Sequence, residues 1–106
     1  MRLPDTIASF FAIGNGADPA GLRHCFTADA VVHDEGRTHH GIDAIEAWLE
    51  AARAASDWHA EPFDISGDAD HPTVQARLVG SFPGSPVTLT HRFALVDGRI
   101  AALEIR

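Results

Sequence analysis

Apolar residues at helical intervals predict three helices in the first half of the chain. The first helix begins after Pro4 and ends near Gly14, the second begins at Asp18 with a proline in its first turn, and the third spans Ile42 to Ala55. The apolar positions that carry these predictions are, in chain order, Ile7, Phe10, Phe11, Ile13, Leu22, Cys25, Phe26, Ile42, Ile45, Trp48, Leu49 and Ala52.

A short strand is predicted between the second and third helices, over Ala30 to Asp34, and a turn is predicted from Gly36 to Gly41. Alternation along the strand puts Val32 and Asp34 on one face and His33 on the other. Either Asp34 points into the protein and His33 out of it, or the reverse.

The second half of the chain changes to the two-residue period of strands. The predicted strands are Trp58 to Ile65, Val74 to Phe82, Val87 to Val96 and Ile100 to Ile105. Pro62 indicates an edge strand or a bulge, Pro83-Gly84 a type II turn, and Asp97-Gly98 a two-residue hairpin. Helices followed by antiparallel strands predict an α+β domain in which a curved antiparallel sheet wraps around three N-terminal helices.

Length, net charge, cysteine count and the lack of long apolar runs limit the kinds of protein this chain can be. At 106 residues we expect one domain, residues 1–106, and a formal charge of −7 disfavours nucleic acid and anionic membranes as partners. The single cysteine, Cys25, excludes an internal disulfide, and its place in the apolar stripe of the second helix favours a small core residue over a nucleophile. No run is long and apolar enough to span a membrane, so we expect a cytoplasmic protein.

Three motifs, in this order, resemble the nuclear transport factor 2-like superfamily: FTADAVV before the first strand, GIDAIEAWL in the third helix, and HRFALVDGRIAALEI at residues 91–105. Within it, the sequence is most similar to the SnoaL-like polyketide cyclase and ketosteroid isomerase branch. The resemblance implies a conical, barrel-like, cystatin-like fold with a pocket between the concave sheet and the helices, often in a homodimer.

The resemblance also implies particular site residues. The isomerase general base lies eight positions after the phenylalanine that precedes the first strand, which gives Asp34 when counted from Phe26. The isomerase's neutral aspartic acid, in an Asp-x-Phe pattern, corresponds to His91, and its oxyanion tyrosine corresponds to Phe10. Because the chain contains no tyrosine, the full isomerase constellation is absent.

The residues themselves support a proton-transfer hypothesis. His91 lies at the centre of an apolar strand face, which predicts a buried imidazole, and Asp34 ends an apolar stripe if it points inward. We expect Asp34 to abstract a C–H proton from a small apolar or carbonyl-containing substrate while His91 donates to the enolate oxygen, with no cofactor. The predicted pocket residues are Phe10, Trp48, Trp58, Phe93 and Glu104.

Simpler interpretations stand beside this hypothesis. Trp48 and Trp58 are also typical of core residues, and Glu104, which shares a predicted face with Ile100, is equally consistent with a solvated strand end. The histidine-rich stretch from His33 to His40 contains metal-ligand residue types, but neighbours on a strand point to opposite faces, so we expect no metal site. The alternative function is a non-catalytic module that binds a small ligand or dimerises.

Overall fold

The computed structural model describes all residues from 1 to 106. The chain forms three α-helices, one 3₁₀ turn and six strands. The helices are α1 (Asp5–Gly14), α2 (Leu22–Cys25) and α3 (Ile42–Ala55), and the 3₁₀ turn is Pro19–Gly21. The strands are β1 (Phe26–Asp34), β2 (Arg37–His40), β3 (Trp58–Gly67), β4 (Pro72–Gly80), β5 (Val87–Val96) and β6 (Arg99–Ile105).

The three predicted helices are confirmed, except that Phe26, predicted in the second helix, is the first residue of β1. The carboxylate of Asp18 accepts a hydrogen bond from the backbone N–H of Ala20 at 3.0 Å, so it caps the turn that Pro19 begins. Helix α1 ends at Gly14, and α3 runs over the predicted range from Ile42 to Ala55. No helix of the structure is long and apolar enough to cross a lipid bilayer.

The strands form one curved, unclosed sheet in the order β2-β1-β6-β5-β4-β3. The predicted α+β class and the wrapping of the sheet around the helices are confirmed. The sheet is mixed, however, and the prediction of a wholly antiparallel sheet is wrong, because β1 pairs with β6 in parallel. The cause is topological: β6 returns to the centre of the sheet after the β3–β4–β5 meander, and it enters in the same direction as β1.

The predicted turn over residues 36–41 is wrong, because most of that segment is strand β2. Glu35 and Gly36 form a two-residue hairpin with φ values of 53° and 75°, and Asp34 pairs directly with Arg37. Two adjacent positive φ angles match the hairpin turn whose twist suits antiparallel strands. The edge strand β2 therefore begins at Arg37, directly after the two-residue hairpin.

The other turn predictions are confirmed. The β3–β4 register shifts between Pro62 and Asp64, so the proline lies at a bulge on an edge strand. The backbone N–H of Ser85 donates to the Phe82 carbonyl at 3.3 Å, and Gly84 has φ of 90°, as a type II turn requires. Asp97 and Gly98 both have positive φ and connect β5 to β6.

One face of the sheet carries the core, and we call it the inner face. It is the face that bears Val32, Phe93 and Leu103, all of which are buried. Seventeen buried apolar residues from this face and from the three helices form a single cluster. Cys25 belongs to it, as predicted, and burial raises the pKa of its thiol.

Candidate functional site

Asp34 and His91 lie in one register row of the inner face. Ile105 of β6 pairs with Asp34 on one side and with His91 on the other, and His91 pairs in turn with Val74. Paired residues point to the same face of a sheet, so Asp34 points inward and the alternative orientation is excluded. Two strand spacings put their Cα atoms roughly 10 Å apart, with the Ile105 side chain between them. We call these residues the Asp34–His91 row.

The Asp34 carboxylate lies at the reachable end of this row. The indole N–H of Trp48 donates to Asp34 Oδ2 at 3.1 Å, which connects β1 to α3. Asp34 and Trp48 are both half-buried, and Oδ1 of Asp34 accepts no hydrogen bond within the chain. One carboxylate oxygen is therefore held in place and the other is free to face a ligand.

His91 lies at the opposite, closed end of the row. It is only 4% exposed, and its ring packs against Phe11 at 5.0 Å between centroids and stacks with Phe93 at 6.4 Å. Burial lowers the pKa of His91 to about 4, against the opposing effect of hydrogen bonds to the backbone of Leu89 and Val74. The prediction that His91 is buried is confirmed.

The hydrogen bond of His91 restricts what its ring can do. Nδ1 lies 3.3 Å from the Leu89 carbonyl oxygen, and a carbonyl only accepts, so this hydrogen bond requires the tautomer with the proton on Nδ1. At neutral pH a ring with a pKa of about 4 is uncharged, which leaves a lone pair on Nε2. In the tautomer that donates to Leu89, Nε2 has no proton to donate to a ligand.

Phe10 and Phe93, two of the predicted pocket residues, fill the centre of the inner face. Each is 5% exposed or less, and their rings contact edge to face at 6.0 Å. Phe10 also lies parallel to Trp48, with 6.4 Å between ring centroids. The central space in which we expected a pocket is therefore occupied by aromatic side chains, and Trp48 marks where this packing meets solvent.

Trp58 lies in a different part of the molecule, against the ends of α1 and α3. Its indole N–H donates to the Ala52 carbonyl at 3.1 Å, and the guanidinium of Arg53 lies 5.1 Å from the ring centroid. A Cβ on Gly14 would lie 3.2 Å from the ring, so the glycine lets α1 approach the indole closely. Trp58 thus connects the ends of α1 and α3 to β3 and contacts neither Asp34 nor His91.

Glu104 lies on the outer face of the sheet, opposite the inner face. The prediction that it shares a face with Ile100 is therefore wrong. It pairs with His33 on β1 and Arg92 on β5, and it accepts a hydrogen bond from Arg106 at 3.1 Å. The reason is a bulge: the β5–β6 register shifts between Ala94 and Leu95, which reverses the alternation along β6. The solvated strand end, the other alternative for Glu104, is what the structure has.

The histidine-rich stretch divides between the two faces of the sheet. His33 is exposed on the outer face, where Nδ1 lies 3.0 Å from the Thr38 hydroxyl, and His40 is exposed on the same side. His39 pairs with Val32 and therefore lies on the inner face, with its ring centroid 6.0 Å from Trp48. No three histidine, cysteine, aspartate or glutamate side chains come together in a way that would hold a metal ion.

His39 is the residue of this region that the sequence reasoning did not place. It is half-buried, its ring nitrogens form no hydrogen bond within the chain, and its ring packs on the tryptophan that holds Asp34. The available signal was the Glu35-Gly36 pair. Read as a two-residue hairpin, it pairs Asp34 with Arg37 and so puts His39 opposite Val32 on the inner face.

Two cavities open at other places on the surface. One, of about 470 Å³, lies between Arg2–Pro4 and the β3–β4 connection, and the other, of about 510 Å³, lies between α1 and the α2 region. Neither is lined by Asp34, Trp48 or His91. On the inner face, Asp34, His39 and Trp48 are the neighbouring side chains that remain half-buried and not fully enclosed.

Comparisons with known proteins agree with this architecture. The family model described as SnoaL-like domain matches residues 7–103. A candidate polyketide cyclase from Sinorhizobium meliloti is 46% identical, with a TM-score of 0.93 over 98% of this chain and 95% of that one. A comparison with curated proteins gave no match.

Two more distant structures share the fold alone. A candidate SnoaL-like polyketide cyclase from Jannaschia sp. CCS1 is 20% identical, with a TM-score of 0.82 over 100% of this chain and 89% of that one. A protein from Catenulispora acidiphila with a ketosteroid isomerase-like fold, in complex with trimethylamine, is 21% identical. Its TM-score is 0.85 over 99% of this chain and 86% of that one.

Proposed function

This chain belongs to the SnoaL-like domain family, and we propose that it catalyses proton transfer on a small, mostly apolar carbonyl compound, with Asp34 as the general base. The observation that carries the proposal is the hydrogen bond from the Trp48 indole to Asp34 Oδ2. It orients a half-buried carboxylate at the edge of an aromatic cluster and leaves Oδ1 free. A base needs this combination of a fixed direction and an open lone pair.

The chemical step is simple to balance. Oδ1 of Asp34 takes a proton from the carbon next to the carbonyl, the C–H electron pair forms a C=C bond, and the π pair of the carbonyl moves onto its oxygen to give an enolate. In a conjugated enolate, return of the proton to another carbon completes an isomerisation. Transfer of the proton to a β-hydroxyl group that leaves as water completes a dehydration. Attack of the enolate carbon on a second carbonyl closes a ring, and the proton then goes to the new alkoxide. All three outcomes begin with the same abstraction, which is the step assigned to Asp34.

His91 is the predicted donor to the enolate oxygen, and the structure sets a condition on that role. Its ring is 4% exposed, and in the tautomer that donates to Leu89 its only proton is held by that carbonyl. His91 must release that carbonyl, and Phe11 must move, before the ring can donate to a ligand. A donor is nevertheless needed, because losing one oxyanion hydrogen bond typically costs about 2.7–4 kcal/mol of transition-state stabilisation.

The alternative proposal is a non-catalytic module that binds a small ligand or dimerises. The observation that favours it is the packed centre of the inner face, where Phe10, Phe93 and His91 are all buried. In this case His91 is a structural histidine, and the Trp48–Asp34 hydrogen bond only fastens α3 to β1.

Deuterium exchange at the acidic C–H of 2-tetralone, followed by proton NMR in D₂O, separates the two proposals. This flat aromatic ketone has a benzylic C–H next to its carbonyl, and buffer alone gives the reference rate. We expect the protein to accelerate exchange and Asp34→Asn to remove the acceleration, since general acid–base catalysis contributes about 100- to 10,000-fold. Asp29→Asn, on the exposed side of β1, is the matched control and should exchange as fast as the unsubstituted protein. Exchange at the buffer rate with unsubstituted protein would refute the catalytic proposal.

A further inference from the structure

We propose that His39 is a substrate-contacting residue of this site, where it donates a hydrogen bond to the carbonyl oxygen of a flat, unsaturated ketone that lies against the Trp48 indole. The inference rests on the proposed function, since it assigns the missing donor to the same reaction. Neither the resemblance nor the predicted Asp34–His91 pair assigns this role to His39.

The register of the β1–β2 hairpin places His39 at a suitable distance from Asp34. Asp34 pairs with Arg37, so His39, two residues further along β2, is the diagonal neighbour of Asp34 on the same face. Diagonal neighbours in an antiparallel pair have Cα atoms about 7–8 Å apart. That separation leaves room for one carbonyl group and its α-carbon between a carboxylate and an imidazole, each at hydrogen-bond distance.

By contrast, the path from Asp34 to His91 is blocked. The two lie on either side of Ile105, a half-buried apolar residue that points to the same face. A ligand between them would have to displace the Ile105 side chain or the aromatic rings around His91. Asp34 and His39 lie on adjacent strands, so no intervening strand places a side chain between them.

The hydrogen-bonding state of His39 also suits a donor. Neither of its ring nitrogens has a partner within the chain, whereas Nδ1 of His91 is held by the Leu89 carbonyl. A neutral imidazole without a partner adopts either tautomer, so it can direct an N–H at a ligand. His39 is half-buried, which gives a ligand access to it.

Trp48 connects the two groups and indicates the shape of the ligand. Its indole N–H holds Asp34, and its ring lies 6.0 Å from the His39 ring at an angle of 34°. The half-buried indole offers an aromatic surface between a base and a donor. Flat ligands stack on such a surface, so an aromatic or conjugated ketone fits better than a branched aliphatic one.

The test compares two adjacent histidines on opposite faces of β2. His39→Leu removes the proposed donor, His40→Leu makes the same change on the exposed outer side, and His39→Gln keeps an N–H at the site. In the 2-tetralone exchange assay we expect His39→Leu to be about 100-fold slower than the unsubstituted protein. His40→Leu should stay within twofold, and His39→Gln should recover part of the loss. Equal rates for the two leucine variants would overturn the role of His39 while the role of Asp34 stood.

A binding measurement separates this inference from the proposed catalysis. 2-Naphthol resembles the enol of 2-tetralone and does not react, so the NMR signals of the histidine rings can be followed as it is added. We expect the His39 signals to shift on addition and the His40 signals to stay in place. Unmoved His39 signals would overturn the inference even if exchange were fast. If the unsubstituted protein failed to accelerate exchange, the proposed function would fail, and the naphthol titration alone would still decide whether His39 contacts a ligand.

Discussion

The two ends of the Asp34–His91 row have the same backbone geometry and opposite surroundings. At the closed end an imidazole is enclosed by Phe11 and Phe93, and its proton is held by a backbone carbonyl. At the open end a carboxylate is half-buried, held by one indole N–H, and near a second imidazole without a partner. The closed end has the features of a structural histidine, and the open end has those of a reactive group.

The position of a residue in a strand pattern is insufficient to assign its chemistry. His91 and Asp34 both interrupt apolar stripes on the inner face, and by that criterion they are equivalent. They differ in solvent access and in whether a side-chain atom is left without a hydrogen-bond partner. Both properties depend on which helix covers each residue. The closed end lies against α1 and the open end against Trp48 of α3.

Opening the closed end should have the largest effect on stability. Phe11→Ala removes the ring that packs edge to face on His91 and on Phe10, and we expect it to lower the free energy of unfolding by about 3–5 kcal/mol. Phe63→Ala changes the same residue type at an exposed position on edge strand β3, and it should cost less than about 0.5 kcal/mol. Denaturant unfolding at neutral pH measures both. Similar costs for the two variants would show that Phe11 does not close this end.

Acid should lower the free energy of unfolding, because it protonates His91 at the closed end. In the unfolded chain the imidazole binds a proton near pH 6.5, but in the folded protein its pKa is about 4, so the unfolded state binds more protons between these values. The stabilisation from a neutral His91 is complete above pH 6.5 and is lost as the pH falls toward 4, by at most about 3 kcal/mol. Unfolding free energies across this range should fall more steeply for the unsubstituted protein than for His91→Phe. Parallel curves would contradict the burial of a neutral imidazole.

Loosening the open end should reduce catalysis more than stability. Trp48→Phe keeps an aromatic ring beside Phe10 but removes the N–H that binds Asp34, and we expect 2-tetralone exchange to slow about tenfold, since a hydrogen bond to a charged group contributes about 1.5–3 kcal/mol. Trp58→Phe removes an indole N–H that binds a backbone carbonyl, and it should lower the free energy of unfolding by about 1 kcal/mol. If Trp48→Phe lowered the free energy of unfolding without slowing 2-tetralone exchange, the Trp48–Asp34 hydrogen bond would have only a structural role.

The smallest effect is expected on the outer face. Glu104→Gln removes an exposed ion pair with Arg106, and surface pairs of this kind contribute about 0–1 kcal/mol. The free energy of unfolding and the exchange rate should both change little. A large loss of exchange would place Glu104 at the site after all and would contradict the outer-face assignment.

The sequence predicted most of the fold because its signals are local. Helical spacing gave α1 and α3, and a capping aspartate followed by proline marked the start of the α2 region. Pro83-Gly84 and Asp97-Gly98 located two turns. Each signal acts within a few residues, so one chain without relatives suffices to read it.

The errors came from features that depend on distant residues or on one extra residue. The parallel β1–β6 pair joins segments about 70 positions apart, and no local pattern encodes that pairing. The bulge in β6 reversed the face of Glu104. Strand β2 was missed because Glu-Gly is a weaker hairpin signal than Asn-Gly or Asp-Gly.

The site was predicted only in part for the same reasons. Period-two alternation predicted that His91 is buried, which the structure confirms, but it left two orientations open for Asp34, and the pairing with Ile105 decides between them. It could not show that Phe11 and Phe93 cover His91. The first contact comes from helix α1, and the second depends on how the two rings stack along β5. It could not place His39 without the β1–β2 register.

The position of β6 between β1 and β5 has a consequence for how the protein is made. Without β6, the sheet falls into two separate pieces, the β1–β2 hairpin and the β3–β4–β5 meander, which share no backbone pairing. During synthesis the ribosome produces both pieces before the strand that joins them. The row that contains Asp34 and His91 therefore assembles only after residue 105 has left the ribosome. Until then Val32 and Phe93 lack their Leu103 partner, so these strands present apolar surface on which a chaperone can bind.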